Sequence, residues 1–330
     1  MDFLACPICR RALAEDAERD VLRCAGCGAE YALVDGIPVV VPQDVANAKA
    51  EQAAFFDAED ADFETSRPHD APALYGRLLQ EKFHRAVSEL RPVIDGGRVL
   101  VVCGGSGMDA EFLARAGASV ISSDLSLGAA RRARERAARH RLNIAPVVAD
   151  AERLPFADRA FDLVYVHDGL HHLERPLEAL DEMARVASTA VSVSEPAQAE
   201  ITRAAVRVGL ALEREEAGNE VRRLTVEEIT SVLQARGFRI VAAGRYAMLY
   251  RHHPGRFMRL LSRRRVLPLA EAALTLANRA LGRYGNKLAV QGFRAVNEQT
   301  PSVTAVETQA RSPGRSRHSR AATRHPDGRT

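Results

Sequence analysis

Four cysteines near the start of the chain are spaced to hold a metal. Cys6 and Cys9 form CPIC, Cys24 and Cys27 form CAGC, and 14 residues separate the two pairs. Two such knuckles bring four thiolates to the corners of a tetrahedron around one zinc ion. An all-cysteine set leaves no position open for a substrate. Pro7 lies inside the first pair, and Gly26 and Gly28 turn the chain around the second. The spacing predicts a closed, structural zinc ribbon over residues 1–43, in which the metal replaces a core too small to stand alone. A redox role is the minor alternative, since neither pair opens a helix after a strand.

A second chemistry sits farther along. VLVVCGGSGMDA, residues 99–110, places a glycine loop between a strand and a helix. Gly105 and Gly107 would let the backbone approach a ligand, whose polar groups the free amides of the helix start would receive. Asp124 ends the next strand, Asp150 follows the one after, and His167, Asp168, His171 and His172 share a loop after the fourth. Gly105, Gly107 and Ala110 also satisfy GxGxxG/A, with Asp124 19 residues beyond Gly105. Spacing alone therefore allows a nicotinamide cofactor, and a tight strand-to-helix turn needs glycines even without a ligand.

The remainder of the domain separates these readings. In order and spacing, VISSDLS and VVADAERLPFADRAFDLVYVHDGLHHL resemble the class I S-adenosylmethionine (SAM) dependent methyltransferases, in particular the branch with the ubiquinone and menaquinone methyltransferases. The resemblance runs from about residue 74 to residue 295. Its most specific part, LPFxDxxFDLVYxxxxLHHL, is foreign to dehydrogenases. It implies that Gly105 and Gly107 flank the methionine part of SAM, that Asp124 holds the ribose, and that Leu125 packs on the adenine. Asp150 and Ala151 would then lie at the adenine's polar edge, and His167 would open the loop facing the sulfonium. NKLAVQGFR, residues 286–294, resembles the family's final antiparallel strand.

Two positions depart from that family's pattern. It usually carries an acid where this chain has Val101 and a glycine where it has Cys103. Either cofactor affinity is lower for want of the acid, or Asp109 substitutes from the helix start. Cys103 is most simply a small buried residue. The first forty residues, through YALVDGIPVVVP, resemble small zinc-ribbon proteins that partner tRNA and protein methyltransferases, and a comparable module opens certain rRNA guanine methyltransferases. This implies a docking or substrate-presenting module, with a protein partner as one consequence.

Methyl transfer from a sulfonium is an in-line displacement. The acceptor must be held near the methyl, desolvated and, at oxygen or an acidic carbon, deprotonated. His167 with Asp168 beside it is the first candidate for that work, and His171 on the same loop is the third catalytic candidate. The alternative for His171 and His172 is that they cap the loop and pack the following helix. The expectation is a SAM-dependent methyltransferase acting on a small or lipid-like acceptor at oxygen or carbon. The rivals are an RNA methyltransferase that holds its substrate with the ribbon, a non-catalytic partner protein with a decayed site, and, weakest, a dehydrogenase. An NPPY-type amino-methylation loop is absent from the sequence.

These residues need a scaffold, and the patterning supplies one. Strand patterns at 98–102, 119–123, 144–149, 161–166 and 190–194 alternate with helical patterns at 108–116, 126–140 and 176–186. Such alternation predicts a doubly wound α/β, Rossmann-like parallel sheet covered on both faces. A helix over 225–236, a strand over 238–250, helices over 254–282 and a last strand over 287–295 complete the domain, which spans 73–296. Ahead of it, apolar residues at helical spacing from Leu74 to Leu90 predict a helix that Pro92 ends. Residues 44–72 are acidic and read as a linker or lid with a short helix near Phe55 and Phe56, which with Tyr75 would close one side of the site or simply pack. The tail, 297–330, is rich in Ser, Thr, Pro, Gly and Arg and is expected to be disordered.

Composition narrows the classes further. With 46% hydrophobic and 27% charged residues in 330, wholesale disorder is excluded. No run approaches the roughly 20 apolar residues of a membrane span, and MDFLACPIC lacks the regions of a signal peptide, so a cytoplasmic location is expected. The net charge is +3, and the tail accounts for it, leaving a neutral body that weighs against a broad nucleic-acid face. One local patch stands out. Arg251, Arg256, Arg259, Arg263, Arg264 and Arg265 fall in an insertion, residues 251–282, beside Phe257, Leu260 and Leu261. The insertion reads as an interfacial helix in peripheral contact with a membrane, as a lid over an apolar acceptor, or as a solvated basic face. Only three residues of the whole chain are lysines, Lys49, Lys82 and Lys287.

Overall fold

The computed structural model describes residues 3–58, 61–198, 223–248 and 252–295. Glu59, Asp60, Tyr250, Arg251 and the tail from residue 296 lie outside the described residues, so the expectations resting on them stay with the sequence.

The ribbon forms first. Strands β1 (Leu13–Asp16), β2 (Val21–Cys24), β3 (Glu30–Val34) and β4 (Ile37–Pro38) make an antiparallel sheet in that order. Leu22 and Tyr31 oppose one another in the register and are buried. The acidic stretch that follows, expected as a linker or lid with a short helix near Phe55 and Phe56, carries that helix and two more. It folds as α1 (Gln43–Ala48), α2 (Ala50–Asp57) and α3 (Ala61–Ser66). Next come α4 (Ala73–Ala86) and α5 (Arg91–Ile94). The helix expected to run to Leu90 and end at Pro92 stops at Ala86. Pro92 instead sits in the first turn of α5, where its missing N–H costs nothing.

The main sheet follows in alternation: β5 (Arg98–Val102), α6 (Met108–Arg115), β6 (Ser119–Asp124), α7 (Leu127–His140), β7 (Ile144–Val148), β8 (Phe161–His167), α8 (Pro176–Val186) and β9 (Ala187–Pro196). After α9 (Val226–Ala235) come β10 (Phe238–Tyr246), α10 (Arg256–Leu261), α11 (Leu267–Leu281) and β11 (Lys287–Arg294). The strand order is β10-β11-β9-β8-β5-β6-β7. The pairs among β5 to β9 are parallel, and β11 enters antiparallel between β9 and β10. Val99, Leu100, Val101 and Val102 are all buried, as a strand covered on both faces requires. The expected doubly wound sheet with a final antiparallel strand is the observed one.

The ribbon and the sheet share one core. Leu4, Tyr31 and Val40 pack in the same cluster as Val147, Leu154 and Phe156. Backbone bonds stitch the seam: Val40 N–H donates to Val148 O at 2.8 Å, Ala5 N–H to Pro155 O at 2.9 Å and Ala157 N–H to Phe3 O at 3.0 Å. Val39 thereby bridges in parallel to Val148 on β7, the outermost strand of the sheet. An edge that would otherwise offer unpaired amides is covered by the chain's own N-terminal module.

Candidate active site

The site is built where β5, β6, β7 and β8, four neighbouring parallel strands, end. At such carboxyl ends, with helix N-termini close by, open α/β sheets bind ligands. The loop after β5 holds Gly105 at φ +51° and Gly107 at φ +79°. A Cβ on Gly107 would stand 3.1 Å from Ala133 of α7, so this glycine lets two helices approach. A Cβ on Gly105 would meet nothing within 4 Å, so this one faces open space. Asp124, at the end of β6, accepts Gly105 N–H at 2.8 Å on one oxygen and Ser126 N–H at 3.0 Å on the other. Burial outweighs those donors and raises its pKa. Each carboxylate oxygen has accepting capacity left for a further donor. Leu125 follows on the same turn.

After β7, Asp150 is buried and caps a single helical turn by accepting Glu152 N–H, and Ala151 is buried inside that turn. Lys49, between α1 and α2, donates to Asp150 Oδ1 at 2.8 Å and lies 3.1 Å from Glu152 Oε2. Asp150 Oδ2 is buried without a hydrogen-bond partner among the described residues. That orphaned acceptor, the open space at Gly105 and the paired oxygens of Asp124 fit an adenosine. An amino group would meet Asp150, and a ribose diol would meet Asp124.

Residues 50–58 and 61–66 are held over this loop by α7. Arg132 donates to Phe56 O, Asp57 O and Ser106 Oγ. Arg136, wholly buried, donates to Ser106 O, Arg67 O, Glu64 O and Glu111 Oε2. Asp57 accepts Gly128 N–H at 2.7 Å and the Ser126 hydroxyl at the start of α7. Phe56 meets the His172 ring edge to face at 5.5 Å, whereas Phe55 is exposed. Tyr75 is buried in a separate cluster and donates to His252 O. Glu111 also takes His69 at 2.7 Å and Arg115 at 2.8 Å. With His140 these residues collect like metal ligands, but a carboxylate already serving two arginines is a latch for the segment, not a cation site.

The loop after β8 carries the remaining candidates. His167 Nδ1 lies 2.9 Å from both oxygens of Asp109, at the start of α6. The Tyr165 hydroxyl donates to the same carboxylate at 3.0 Å. Burial would raise the Asp109 pKa, but His167 and Lys82 bring it below the ordinary value. This acid is thus engaged by both His167 and Tyr165. His167 Nε2 is buried with no hydrogen-bond partner among the described residues. Asp168, at φ +50°, accepts Lys82 Nζ at 2.6 Å and Lys287 Nζ at 2.8 Å. Burial opposes its charge, yet the two lysines hold its pKa well below the usual carboxylate range. His171 is turned away to Glu195 Oε2 at 2.7 Å, and Glu195 Oε1 accepts the amides of Gly169 and Leu170. That pair anchors the loop.

Sequence reasoning missed Lys49, Lys82, Lys287 and Glu195. One signal was available for three of them. In a chain that otherwise uses arginine, all three lysines are buried at carboxylates of the site.

The family description "methyltransferase domain" matches residues 100–190, which hold the end of β5, β6 to β8 and the loops after them. These residues are similar to that domain. Residues 1–36 match the Trm112p-like protein family, which fits the ribbon. A demethylmenaquinone methyltransferase of Renibacterium salmoninarum is 38% identical over 105 residues, 32% of this chain and 43% of the relative. One of Mycobacterium sp. strain KMS is 33% identical over 137 residues, 41% and 54% respectively. The chain thus spans about half the length of the curated relatives it matches. Among solved structures, magnesium protoporphyrin IX methyltransferase from Synechocystis PCC 6803 with bound SAH aligns at TM-score 0.54 and 16% identity, over 75% of this chain and all of that one. The complex between the Haloferax volcanii Trm112 methyltransferase activator and a methyltransferase aligns at 0.50 and 18%, over 73% and 98%. Both likenesses are of fold.

The four ribbon sulfurs are gathered as well. Cys6 Sγ and Cys27 Sγ are 3.6 Å apart, Cys9 Sγ and Cys24 Sγ are 3.3 Å apart, and all four lie within 4.8 Å of one another. Ligand bonds of about 2.3 Å in a tetrahedron set sulfurs at this kind of spacing, so the donor set suits zinc.

Proposed function

We propose that this protein is a SAM-dependent methyltransferase whose acceptor is a small or lipid-like molecule methylated at oxygen or carbon, and that its ribbon holds one structural zinc. The observation that carries the reading is the row of groups on adjacent strand ends: Gly105 with open space beside it, Asp124 and Asp150 with accepting oxygens to spare, and His167 with Nε2 free of hydrogen bonds, 3.7 Å from Asp168 Oδ2. SAM supplies an electrophilic methyl on a sulfonium. The residues do the rest. Asp124 takes the ribose hydroxyls and Asp150 the adenine amino group, with Leu125 and Ala151 against the base. Gly105 and Gly107 leave room for the methionine part.

His167 is the base. Its Nδ1–H donates to Asp109, which fixes the tautomer and leaves the Nε2 lone pair for the acceptor's proton. Asp168, clamped between Lys82 and Lys287, sets the backbone of this loop, and His171 on Glu195 secures its far end. The cysteine ligands Cys6, Cys9, Cys24 and Cys27 act through the seam along β7. The similarity to demethylmenaquinone methyltransferases makes demethylmenaquinone the first acceptor to try.

The test is calorimetry of SAM and S-adenosylhomocysteine on zinc-loaded full-length protein, followed by transfer of labelled methyl to demethylmenaquinone. Asp124→Ala should weaken cofactor binding by about 100-fold, the worth of two hydrogen bonds to a charged acceptor. His167→Gln should leave cofactor binding intact and remove transfer. No cofactor binding by folded protein would overturn the proposal.

A further inference from the structure

We infer that α10 and α11 form a docking surface for an anionic lipid bilayer, and that this surface is mounted on the strand pair bearing Lys287. Only one side of the two helices is used by the fold. Met258, Leu261, Leu267, Ala270 and Leu274 pack on Leu74, Leu78, Tyr246 and Met248. No residue of α11 is fully buried. On the other side Phe257, Leu260, Leu269, Leu276 and Leu281 are 45–72% exposed. Leu269 and Leu276, two helical turns apart, lie on one face of α11.

The charges around these apolar groups have one sign. Arg256, Arg259, Arg263, Arg264 and Arg265 are exposed, as are Arg279 and Arg283 at the far end. Glu271 is the sole acid in this stretch, and Arg77 of α4 engages it. Large apolar side chains among arginines on a short helix are what an interfacial element presents to lipid: leucine and phenylalanine enter the headgroup boundary while guanidinium groups meet phosphates. A second copy of this face would bring arginines against arginines, and a nucleic acid would leave the leucines without partners. No helix among the described residues is long and apolar enough to cross a membrane, so the contact is peripheral.

The mount is rigid. Asn278 donates to Ala247 O and accepts Ala247 N–H, both at 2.8 Å, and Asn286 brackets Met248 in the same way. A Cβ on Gly285 would fall 1.9 Å from the Tyr246 carbonyl carbon, so the turn into β11 lies flat on the end of β10. Lys287, two residues on, reaches Asp168. The lipid-facing helices and the loop after β8 are therefore joined through one short strand pair. This inference does not depend on the cofactor reading.

The experiment is sedimentation of the full chain with vesicles of phosphatidylcholine alone and of phosphatidylcholine with phosphatidylglycerol. The protein should partition onto the anionic vesicles, less so as salt is raised. Leu269→Asp with Leu276→Asp, and separately Arg263→Glu with Arg264→Glu, should each reduce partitioning roughly tenfold or more. All four side chains are exposed, so circular dichroism and thermal melting should be unchanged. Equal sedimentation of wild type and both variants would overturn the inference. So would a concentration-dependent dimer that Leu269→Asp abolishes, because a second copy would then own the face.

Discussion

Lys287 Nζ donates to both carboxylate oxygens of Asp168 at 2.8 Å, across 119 residues of sequence, while Lys82 takes one of the same oxygens at 2.6 Å from the other side. One half-buried carboxylate thus bridges two buried ammonium groups, and the arrangement is titratable. Burial pulls the Lys287 pKa from 10.5 to about 8 even with Asp168 against it. The folded protein releases that proton at a lower pH than the unfolded chain does. Between about pH 8 and 10.5 the unfolded state binds more protons, so the Lys287 contribution to stability rises with pH through that window.

Urea unfolding at pH 7, 9 and 10.5 checks this. The wild type should gain stability relative to Lys287→Met as pH rises, by up to about 3 kcal/mol. Asp168→Asn should cost about 3–5 kcal/mol at pH 7, because it neutralises the carboxylate that the two buried ammonium groups share. On the acid side the slope has the same sign. Asp168, Asp109 and Glu195 are held below their ordinary pKa values, so their contributions are present above about pH 4 and fade as pH falls further. A flat difference between wild type and Lys287→Met from pH 7 to 10.5 would contradict the buried-charge account.

Lys49 gives a second, separable case. It is the cation beside Asp150 and Glu152, and it comes from the segment expected as an acidic linker or lid. Glu152 keeps Arg175 at 2.9 Å when Lys49 is removed, but Asp150 keeps only the Glu152 amide. Lys49→Met should therefore destabilise by several kcal/mol, on the order of 3. Adding Asp150→Asn should recover part of that loss, and additive effects in the double-mutant cycle would deny that the two residues are coupled.

These pairs mark the boundary of what local pattern can reveal. The parallel strands were legible because burial on both faces leaves a continuous apolar run such as Val99 to Val102, and the glycine loop because few residues tolerate φ near +51° or +79°. The cysteines were legible because their spacing is itself the geometry. Lys82, Lys287 and Asp168 meet only once the sheet has closed, and nothing near any of them in sequence announces a partner. Of the helices α1 to α3 only α2, the one near Phe55 and Phe56, was legible, and its anchoring was hidden for a related reason. No residue of α2 is fully buried, and its last carbonyls are held by Arg132, whose role is written in α7. His171 read as a catalytic candidate because it shares a loop with His167, and only Glu195, a strand away, distinguishes the two.

Metal removal should unfold more than the ribbon. Leu4, Tyr31 and Val40 share a core with Val147 and Phe156, and Val40 is bonded to the edge strand. Loss of four ligand bonds is expected to propagate across that seam. A strong chelator, or Cys24→Ser with Cys27→Ser, should lower the melting temperature by about 10 °C in one transition for a unit of this size. A melt that splits into an early ribbon step and an unchanged main step would mean that the ribbon is merely tethered.

Cys103 and Gly169 supply the most local prediction. Cys103 stands at φ +52°, a conformation that favours glycine, and a Cβ on Gly169 would come within 2.4 Å of Cys103 Cβ and 3.1 Å of its sulfur. The Gly169 amide also donates to Glu195 at 2.8 Å, so the chain there cannot move aside without losing the anchor of the loop after β8. Gly169→Ala should accordingly cost about 2–3 kcal/mol, the usual effect of overpacking a filled interior. In a Cys103→Gly background the obstacle is gone and the backbone strain at position 103 with it, so the same alanine should cost less than about 1 kcal/mol. Denaturant unfolding of the four proteins measures the coupling. Equal costs in both backgrounds would place the origin of the strain elsewhere, at Val166, whose methyl is the next atom a Gly169 Cβ would meet, at 3.3 Å.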